Sequence, residues 1–246
     1  MELIIAKNYE EMSKIAAKEI AKLVYVKPDA ILGLATGSTP EGVYKELVEL
    51  NKESRIDFSK VTSFNLDEYK GLTGDHPQSY RYFMDTKLFN HINIDKTNTH
   101  VLSGVTKDIE KECEEYDAAI EAAGGIDLQL LGIGGNGHIG FNEPSEYLNM
   151  NTHLTKLTKD TIEANSRFFN KIEEVPTEAI TMGLGSIMKA KKIILLASGE
   201  KKAEIIAKLV QEKISTKIPA SLLQVHPDVL VIVDQDAASK LKNTNK

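Results

Sequence analysis

The stretch AILGLATGSTP, from Ala30 to Pro40, joins an apolar run to a polar turn and decides the predicted fold class. Its first six residues are typical of a buried β-strand, and Pro40 directly after Thr39 is typical of the first helical residue behind an N-cap. The stretch therefore predicts a strand-to-helix turn, the kind of connection from which α/β folds are built.

The same alternation of apolar runs and helical segments continues on both sides of this turn. The segment from Asn8 to Val26 has apolar residues at helical spacing, which predicts a helix with one buried face. Further apolar runs are LIIA, VTSFNL, DLQLLGIG, KIILLASG and DVLVIVD, and KIILLASG precedes the helical segment EKKAEIIAKLVQE. The pattern predicts an α/β fold of at least six strands, with a mostly parallel central sheet flanked by helices.

Length and composition favour a single domain. The chain has 246 residues, of which 41% are hydrophobic, so it can bury a sizeable core. No segment rich in Pro, Ser or Gly divides it. We expect one domain over residues 1–246, with a frayed, lysine-bearing tail at about residues 240–246.

Charge and cysteine content narrow the classes of function. The net charge of -6 disfavours nucleic acid and anionic membranes as partners, and no run approaches the roughly 18 apolar residues of a membrane-spanning helix. The single cysteine, Cys113, allows no internal disulfide, which fits a reducing compartment. The histidines show no metal-ligand spacing. We expect a cytoplasmic protein with a small-molecule partner and no metal site.

Polar residues follow four of the predicted strands. The segments after these strands are ATGSTP, DEYKG, GGNGHIGFNEP and SGEKK. Ligands of open α/β sheets bind beyond the carboxyl ends of the strands. We therefore expect these four segments to meet at one crevice.

The turn Thr36, Gly37, Ser38 and Thr39 is a candidate phosphate site. Its hydroxyl groups, its glycine and the unpaired N–H groups of a helix N-terminus suit an anion. Serine and threonine also cap helices without any ligand, and the turn has neither the Walker nor the G-x-G-x-x-G spacing. Both interpretations of the turn stay open.

Two segments contain candidate acid–base groups. Asp67 directly follows VTSFNL, where partial desolvation would raise its basicity, although it could equally cap a turn. His138 and Glu143 lie in one glycine-rich loop, GIGGNGHIGFNEP, where the carboxylate could fix the tautomer of the imidazole. An ordinary glycine turn with a hydrogen-bonded histidine is equally compatible with that loop.

Taken together, the motifs resemble one known family. The set ATGSTP, FNLDEYKGL followed by HPQSY, GNGHIGFNEP, ANSRFF and SGEKKA is similar to the motifs of glucosamine-6-phosphate deaminases, also called glucosamine-6-phosphate isomerases. The resemblance implies a Rossmann-like three-layer sandwich. It also implies conversion of D-glucosamine 6-phosphate and water into D-fructose 6-phosphate and ammonia, without cofactor or metal, in amino-sugar (N-acetylglucosamine) catabolism. We class the expected enzyme as a hydrolase.

The resemblance also implies catalytic roles. Asp67 matches the proton acceptor of the family, His138 matches the histidine that assists opening of the sugar ring, and Glu143 matches the acid that orients this histidine. Many members have aspartate at the position of Asn136. Because asparagine cannot supply that charge, we expect Glu143 alone to support His138 electrostatically, while Asn136 donates a hydrogen bond or occupies a left-handed turn.

The phosphate end is implied by separate motifs. Arg167 in ANSRFF and Lys202 in SGEKKA match phosphate-binding residues, and only the motif distinguishes Lys202 from its neighbour Lys201. Some members are hexamers that N-acetylglucosamine 6-phosphate activates through basic residues. His153 and Thr155 stand at those positions here, so we expect no such activation, and a homo-oligomer stays open.

Two alternatives remain. A 6-phosphogluconolactonase-like hydrolase would have a similar fold and phosphate loop, but that family resembles GHTASLFP after the histidine, whereas this chain has GHIGFNEP. A non-catalytic sugar-phosphate sensor of the kind attached to transcription regulators is disfavoured, because no helix-turn-helix segment precedes the domain and the three predicted catalytic residues are present.

Overall fold

The computed structural model describes residues 1–211 and 213–242, in which strands and helices alternate along most of the chain. The strands are β1 (Glu2–Ala6), β2 (Ile31–Leu34), β3 (Thr62–Asn65), β4 (Asp67–Tyr69), β5 (Thr99–His100), β6 (Leu128–Leu131), β7 (His153–Lys156), β8 (Glu178–Thr181), β9 (Lys192–Ala197) and β10 (Val229–Asp234). The helices are α1 (Tyr9–Val26), α2 (Glu41–Lys52), α3 (Tyr80–Lys87), α4 (Ile109–Ala122), α5 (Lys159–Asn165), α6 (Leu184–Met188) and α7 (Ala203–Gln211).

Seven strands of the described residues form the central sheet, in the order β1-β10-β9-β6-β2-β3-β5. Every neighbouring pair in this sheet is parallel. The predicted parallel sheet is therefore confirmed, and each of the six apolar runs found in the sequence supplies one of its strands.

Helices cover both faces of the central sheet and give the predicted three layers. Residues of α1, α2 and α3 pack in one hydrophobic cluster, and residues of α4, α6 and α7 pack in another. Strand β9 contributes to both, because Ile194 and Leu196 point to the first cluster while Ile193 and Leu195 point to the second. A strand buried on both faces needs a continuous apolar run, which explains the sequence pattern.

A second, antiparallel sheet of three strands was not predicted. Its order is β4-β8-β7, and it lies directly beyond the end of β3. Leu66 joins the two sheets, since its N–H donates to Leu34 O at 3.1 Å and its carbonyl accepts from Met182 N at 2.7 Å. Asp67 is thus the first residue of the small sheet, where it pairs with Thr181, and not part of a loop.

Helix boundaries differ slightly from the prediction. Helix α1 begins after Asn8, whose side chain accepts from Glu11 N, whereas α2 begins at Glu41 with Pro40 as its N-cap, one residue later than expected. The segment EKKAEIIAKLVQE forms a 3-10 turn followed by α7, and its last residue lies outside the described residues.

The C-terminal part of the described chain packs against the core. Leu241 is partly buried against the cluster formed with α4, α6 and α7. Residues 243–246 of the expected frayed tail lie outside the described residues, so fraying there stays a prediction. Across residues 1–211 and 213–242, no helix is both long enough and apolar enough to cross a membrane.

Candidate active site

A cavity of about 480 Å³ opens where the neighbouring strands β9, β6, β2 and β3 end. The segments that follow these strands line it, as expected for an open α/β sheet. The cavity brings together all predicted site residues except Glu143, namely Thr36, Gly37, Ser38, Thr39, Asp67, Asn136, His138, Arg167 and Lys202. Glu143 contacts His138 from outside the lining.

One end of the cavity presents hydroxyl and cationic groups. The turn from Thr36 to Thr39 precedes α2, and Arg167 Nη2 donates to Ser38 Oγ at 3.2 Å although the two residues are far apart in sequence. Lys202 is half-buried and its Nζ donates to Ile133 O at 2.6 Å, whereas Lys201 is exposed. Burial, together with the positive charge of Arg167, lowers the pKa of Lys202. These groups can bind an anion.

Asp67 also lines the cavity and is only 6% exposed. Within the described part of the chain, no group donates a hydrogen bond to its carboxyl group. Burial raises the pKa of Asp67 to about 8, with a further contribution from the negative charge of Glu68. An aspartate in this environment becomes a strong base once it has lost its proton.

The neighbouring Glu68 has a structural role instead. Its carboxyl group accepts from Tyr69 N at 2.8 Å, Tyr80 N at 2.9 Å and Arg81 N at 3.0 Å, and the last two are at the start of α3. Burial raises its pKa to about 7 against the opposing effect of these N–H groups. Glu68 thereby fixes the first turn of α3, whose residue Tyr80 lines the cavity.

Glycine allows the loop after β6 to present His138. A Cβ atom on Gly134 would lie 2.3 Å from Cε1 of the His138 ring, so no larger residue fits beneath the imidazole. Gly137 has a φ of 91°, a left-handed conformation that glycine adopts without strain. The ring places its Nδ1 3.3 Å from Glu143 Oε2.

Glu143 is buried among hydrogen-bond donors. Its Oε2 accepts from Asn136 Nδ2 at 2.7 Å, and its Oε1 accepts from Thr161 Oγ1 at 2.5 Å and from Thr158 Oγ1 at 3.3 Å. Burial by itself would raise the pKa of Glu143, but the nearby His138 and its charge, with the hydrogen bonds from Thr161 and Asn136, lower it to about 2. Glu143 therefore stays ionised.

Asn136 connects both members of this pair. Besides donating to Glu143, it accepts from His138 N at 3.2 Å through its Oδ1. Its φ is not positive, so of the two roles considered for Asn136 the structure shows the hydrogen bond and excludes the left-handed turn.

Several residues that line or support the site were not predicted. Thr158 and Thr161 lie at the start of α5, and the only signal in the sequence was a threonine at the N-cap position of a short helical segment. Tyr69, Tyr80 and Phe169 line the cavity as an aromatic cluster, with Tyr69 4.8 Å from Tyr80 and 5.9 Å from Phe169 between ring centroids. These three aromatic residues lie in the motifs quoted from the sequence, but only other residues of those motifs were predicted to belong to the site.

No group of three or more His, Cys, Asp and Glu side chains among the described residues is arranged to hold a metal ion. Fold and cavity together define an α/β protein whose cavity presents cationic and hydroxyl groups as well as titratable acid and base side chains. The chain belongs to the family described as glucosamine-6-phosphate isomerases/6-phosphogluconolactonase, whose model matches residues 6–232. The family expected from the sequence motifs is thereby confirmed.

Individual relatives distinguish the two branches of this family. A glucosamine-6-phosphate deaminase from Clostridium tetani is 66% identical over 238 residues, which cover 97% of this chain and 99% of the relative. A solved structure described as a monomeric glucosamine-6-phosphate deaminase superimposes with a TM-score of 0.96 at 44% identity, covering 98% of this chain and 100% of that one. The 6-phosphogluconolactonase from Trypanosoma brucei covers 98% of both chains, with a TM-score of 0.78 at 18% identity, and shares the fold alone.

These relatives correct one expectation. The classification of the enzyme as a hydrolase is wrong, because the proteins that match nearly the whole chain at high identity are glucosamine-6-phosphate deaminases, which are isomerising deaminases. The lactonase, which is a hydrolase, is only a distant relative of this chain.

Proposed function

We propose that this protein is a glucosamine-6-phosphate deaminase, which converts D-glucosamine 6-phosphate and water into D-fructose 6-phosphate and ammonia. The observation that supports it best is one cavity with an anion-binding end, an unpaired buried aspartate and a histidine held by an ionised glutamate. The identity of 66% to a named deaminase over nearly the full chain supports the same function.

The phosphate group is held at the cationic end of the cavity. Arg167 and Lys202 supply positive charge, and the turn from Thr36 to Thr39 supplies hydroxyl and backbone donors. Anchoring the phosphate fixes how far the reacting carbons extend toward the other end. Lys202 exchanges its hydrogen bond with Ile133 O for the ligand oxygen.

Ring opening is the task of His138. The pyranose opens when a proton leaves the anomeric hydroxyl and another reaches the ring oxygen, and an imidazole can perform both transfers. Glu143 Oε2 lies 3.3 Å from Nδ1 of the ring and faces it with a negative charge. The opposite nitrogen, Nε2, is then the one that faces the substrate.

Isomerisation and deamination follow on the open chain. Asp67 removes the proton from C2 while a proton of the substrate ammonium group passes to the aldehyde oxygen, which gives an enolamine with a double bond between C1 and C2. Asp67 then returns its proton to C1 to give an iminium at C2. Water adds to C2, the C–N bond breaks, and ammonia leaves with a ketone at C2. The positive charge of the substrate amino group favours the ionised form of Asp67 when the substrate is bound.

Other properties follow from this proposal. We expect the enzyme to act in amino-sugar catabolism in the cytoplasm, without organic cofactor, nucleic acid or membrane partner, and as one domain over residues 1–246. A homo-oligomer is compatible with the chain, and analytical ultracentrifugation would determine the assembly.

The test is a simultaneous assay of ammonia and D-fructose 6-phosphate with purified protein, D-glucosamine 6-phosphate and a metal chelator. We expect both products at equal rates. Asp57→Asn is a matched control for the catalytic variants, because Asp57 is an exposed aspartate outside the cavity. Binding of the sugar phosphate without turnover would indicate a sensor, and neither binding nor turnover would favour the lactonase.

A further inference from the structure

The two carboxylate oxygens of Glu143 contact different parts of the structure. Oε2 faces Nδ1 of His138 at 3.3 Å and accepts from Asn136 in the same loop. Oε1 accepts from Thr161 Oγ1 at 2.5 Å, and Thr161 is 4% exposed. Thr158, the N-cap of α5, contacts both the Thr161 hydroxyl at 3.0 Å and Oε1 at 3.3 Å.

The contact between His138 and Glu143 is too loose to fix the carboxylate. Nδ1 of His138 lies 3.3 Å from Glu143 Oε2, which is within ion-pair distance. The two atoms do not, however, have the geometry of a hydrogen bond. The orientation of Glu143 is therefore determined by its shorter bonds, one from Asn136 and one from Thr161. Hydrogen bonds between a hydroxyl donor and a carboxylate are short and stronger than neutral ones.

We propose that Thr161 is a positioning residue for the ring-opening step, in addition to the residues expected from the motifs. Its hydroxyl proton is donated to Glu143, and through Glu143 it sets the orientation of the His138 ring. This inference rests on the proposed function, because ring opening is the step that His138 serves.

The location of Thr161 allows this role to be separated from a merely structural one. Helix α5 leads directly into the turn Ser166–Phe168, which contains the phosphate-end residue Arg167. If Thr161 only anchored α5, its loss would displace Arg167 from Ser38 and weaken phosphate binding. If it positions Glu143, its loss slows turnover and leaves phosphate binding intact.

The experiment compares Thr161→Val, which removes the hydroxyl at nearly constant volume, with Thr161→Ser, which retains it. Thr86→Val is the control, because Thr86 is also a helical threonine with a bonded hydroxyl but lies outside this cavity. The readouts are kcat with cyclic D-glucosamine 6-phosphate and the dissociation constant of its reduced, open-chain analogue 2-amino-2-deoxy-D-glucitol 6-phosphate, which needs no ring opening.

We expect Thr161→Val to lower kcat about 10-fold, in line with the strength of hydrogen bonds to charged groups. The dissociation constant of the open-chain analogue should stay unchanged, and Thr161→Ser should restore kcat. An unchanged kcat, a parallel loss of analogue binding, or failure of Thr161→Ser to restore turnover would each overturn the inference. A wild-type protein that releases no ammonia would instead overturn the proposed function, and the inference with it.

Discussion

The region around Asp67 and the region around Glu143 each bury a carboxyl group, yet they shift the pKa of that group in opposite directions. Burial without hydrogen-bond donors raises the pKa of Asp67 to about 8. Burial of Glu143 is outweighed by His138, Thr161 and Asn136, which lower its pKa to about 2. In this pair, the hydrogen-bond donors and the positive charge beside the carboxyl group, and not its burial alone, separate the two pKa values.

The difference matches the two tasks proposed for these groups. A base must bind a proton strongly enough to remove it from carbon, and a group that supports an imidazolium must keep its negative charge. Two carboxyl groups whose pKa values differ this widely can perform both tasks at one pH. Variants of Asp67 and of the residues around Glu143 test the two halves of this comparison.

Removal of the base should have the largest effect. Asp67→Asn retains the shape of the side chain but cannot accept the C2 proton, so kcat should fall by about 10² to 10⁴. Incorporation of deuterium from D₂O at C2 measures the step directly. The control variant Asp57→Asn should exchange this hydrogen as fast as the wild type. If Asp67→Asn did so as well, the base would be a different residue.

Neutralising Glu143 should have the next largest effect. Glu143→Gln removes the negative charge beside His138 and turns one acceptor of the Asn136 and Thr161 hydrogen bonds into a donor, so kcat with cyclic substrate should fall about 10- to 100-fold. Affinity for the open-chain analogue should change little. Unchanged kinetics in this variant would show that His138 needs no ionic support.

The two carboxyl groups should give opposite pH dependences of stability. Asp67 binds a proton more tightly in the folded state, so its contribution to stability is present at acidic pH and is lost as the pH rises through about 8. Glu143 has a lowered pKa, so its contribution is present above its unfolded pKa and is lost as the pH falls toward 2. Relative to wild type, Asp67→Asn should therefore gain stability with rising pH.

Thermal unfolding of Asp67→Asn and Glu143→Gln between pH 4 and pH 9 measures this difference. We expect the melting temperature of Asp67→Asn, relative to wild type, to rise by roughly 10 to 20 °C over this range. A pKa raised from 3.8 to about 8 corresponds to roughly 5 kcal/mol, and 1 kcal/mol to about 2 to 4 °C in a chain of this size. Glu143→Gln should be less stable than wild type throughout the range. Parallel pH profiles for the two variants would contradict the proposed difference in ionisation.

The smallest effect is expected for Asn136→Ala. It removes the donor at 2.7 Å from Glu143 Oε2 but leaves the bond from Thr161 to Oε1, so kcat should fall only about 3- to 10-fold. Steady-state measurement of kcat for Asn136→Ala and Glu143→Gln side by side tests this difference. A loss as large as that of Glu143→Gln would mean that Asn136 does more than donate one hydrogen bond.

The central sheet could be predicted from the sequence because most of its long strands, β9 and β10 above all, are nearly continuous apolar runs. The antiparallel sheet could not. Its strands β4 and β7 contain charged and polar residues, as in DEY and HLTK, and β4 is bound to β8 more than 100 residues further on. Pairings over such distances depend on the packed fold and leave no local pattern.

The site was predictable where its residues follow strands directly. Asp67 and the turn at Thr36 directly follow β3 and β2, His138 lies in the loop after β6, and the parallel sheet brings these strand ends together. Thr161 was missed because its contact with Glu143 spans 18 residues and depends on how α5 returns to the loop. The opposite pKa shifts of Asp67 and Glu143 could not be predicted from the sequence either, because they depend on which donors surround each carboxyl group.

Leu66 joins the two sheets through backbone hydrogen bonds on both sides, and this has a consequence for protein engineering. New chain ends or inserted domains near β3 and β4 would release the peptide that sets the position of Asp67. The turn between α1 and β2, where Val26 is 81% exposed and the chain leads into the start of a strand, is a better place for them. Libraries that vary the aromatic cluster of Tyr69, Tyr80 and Phe169 can reshape the substrate cavity while the junction keeps the aspartate in place.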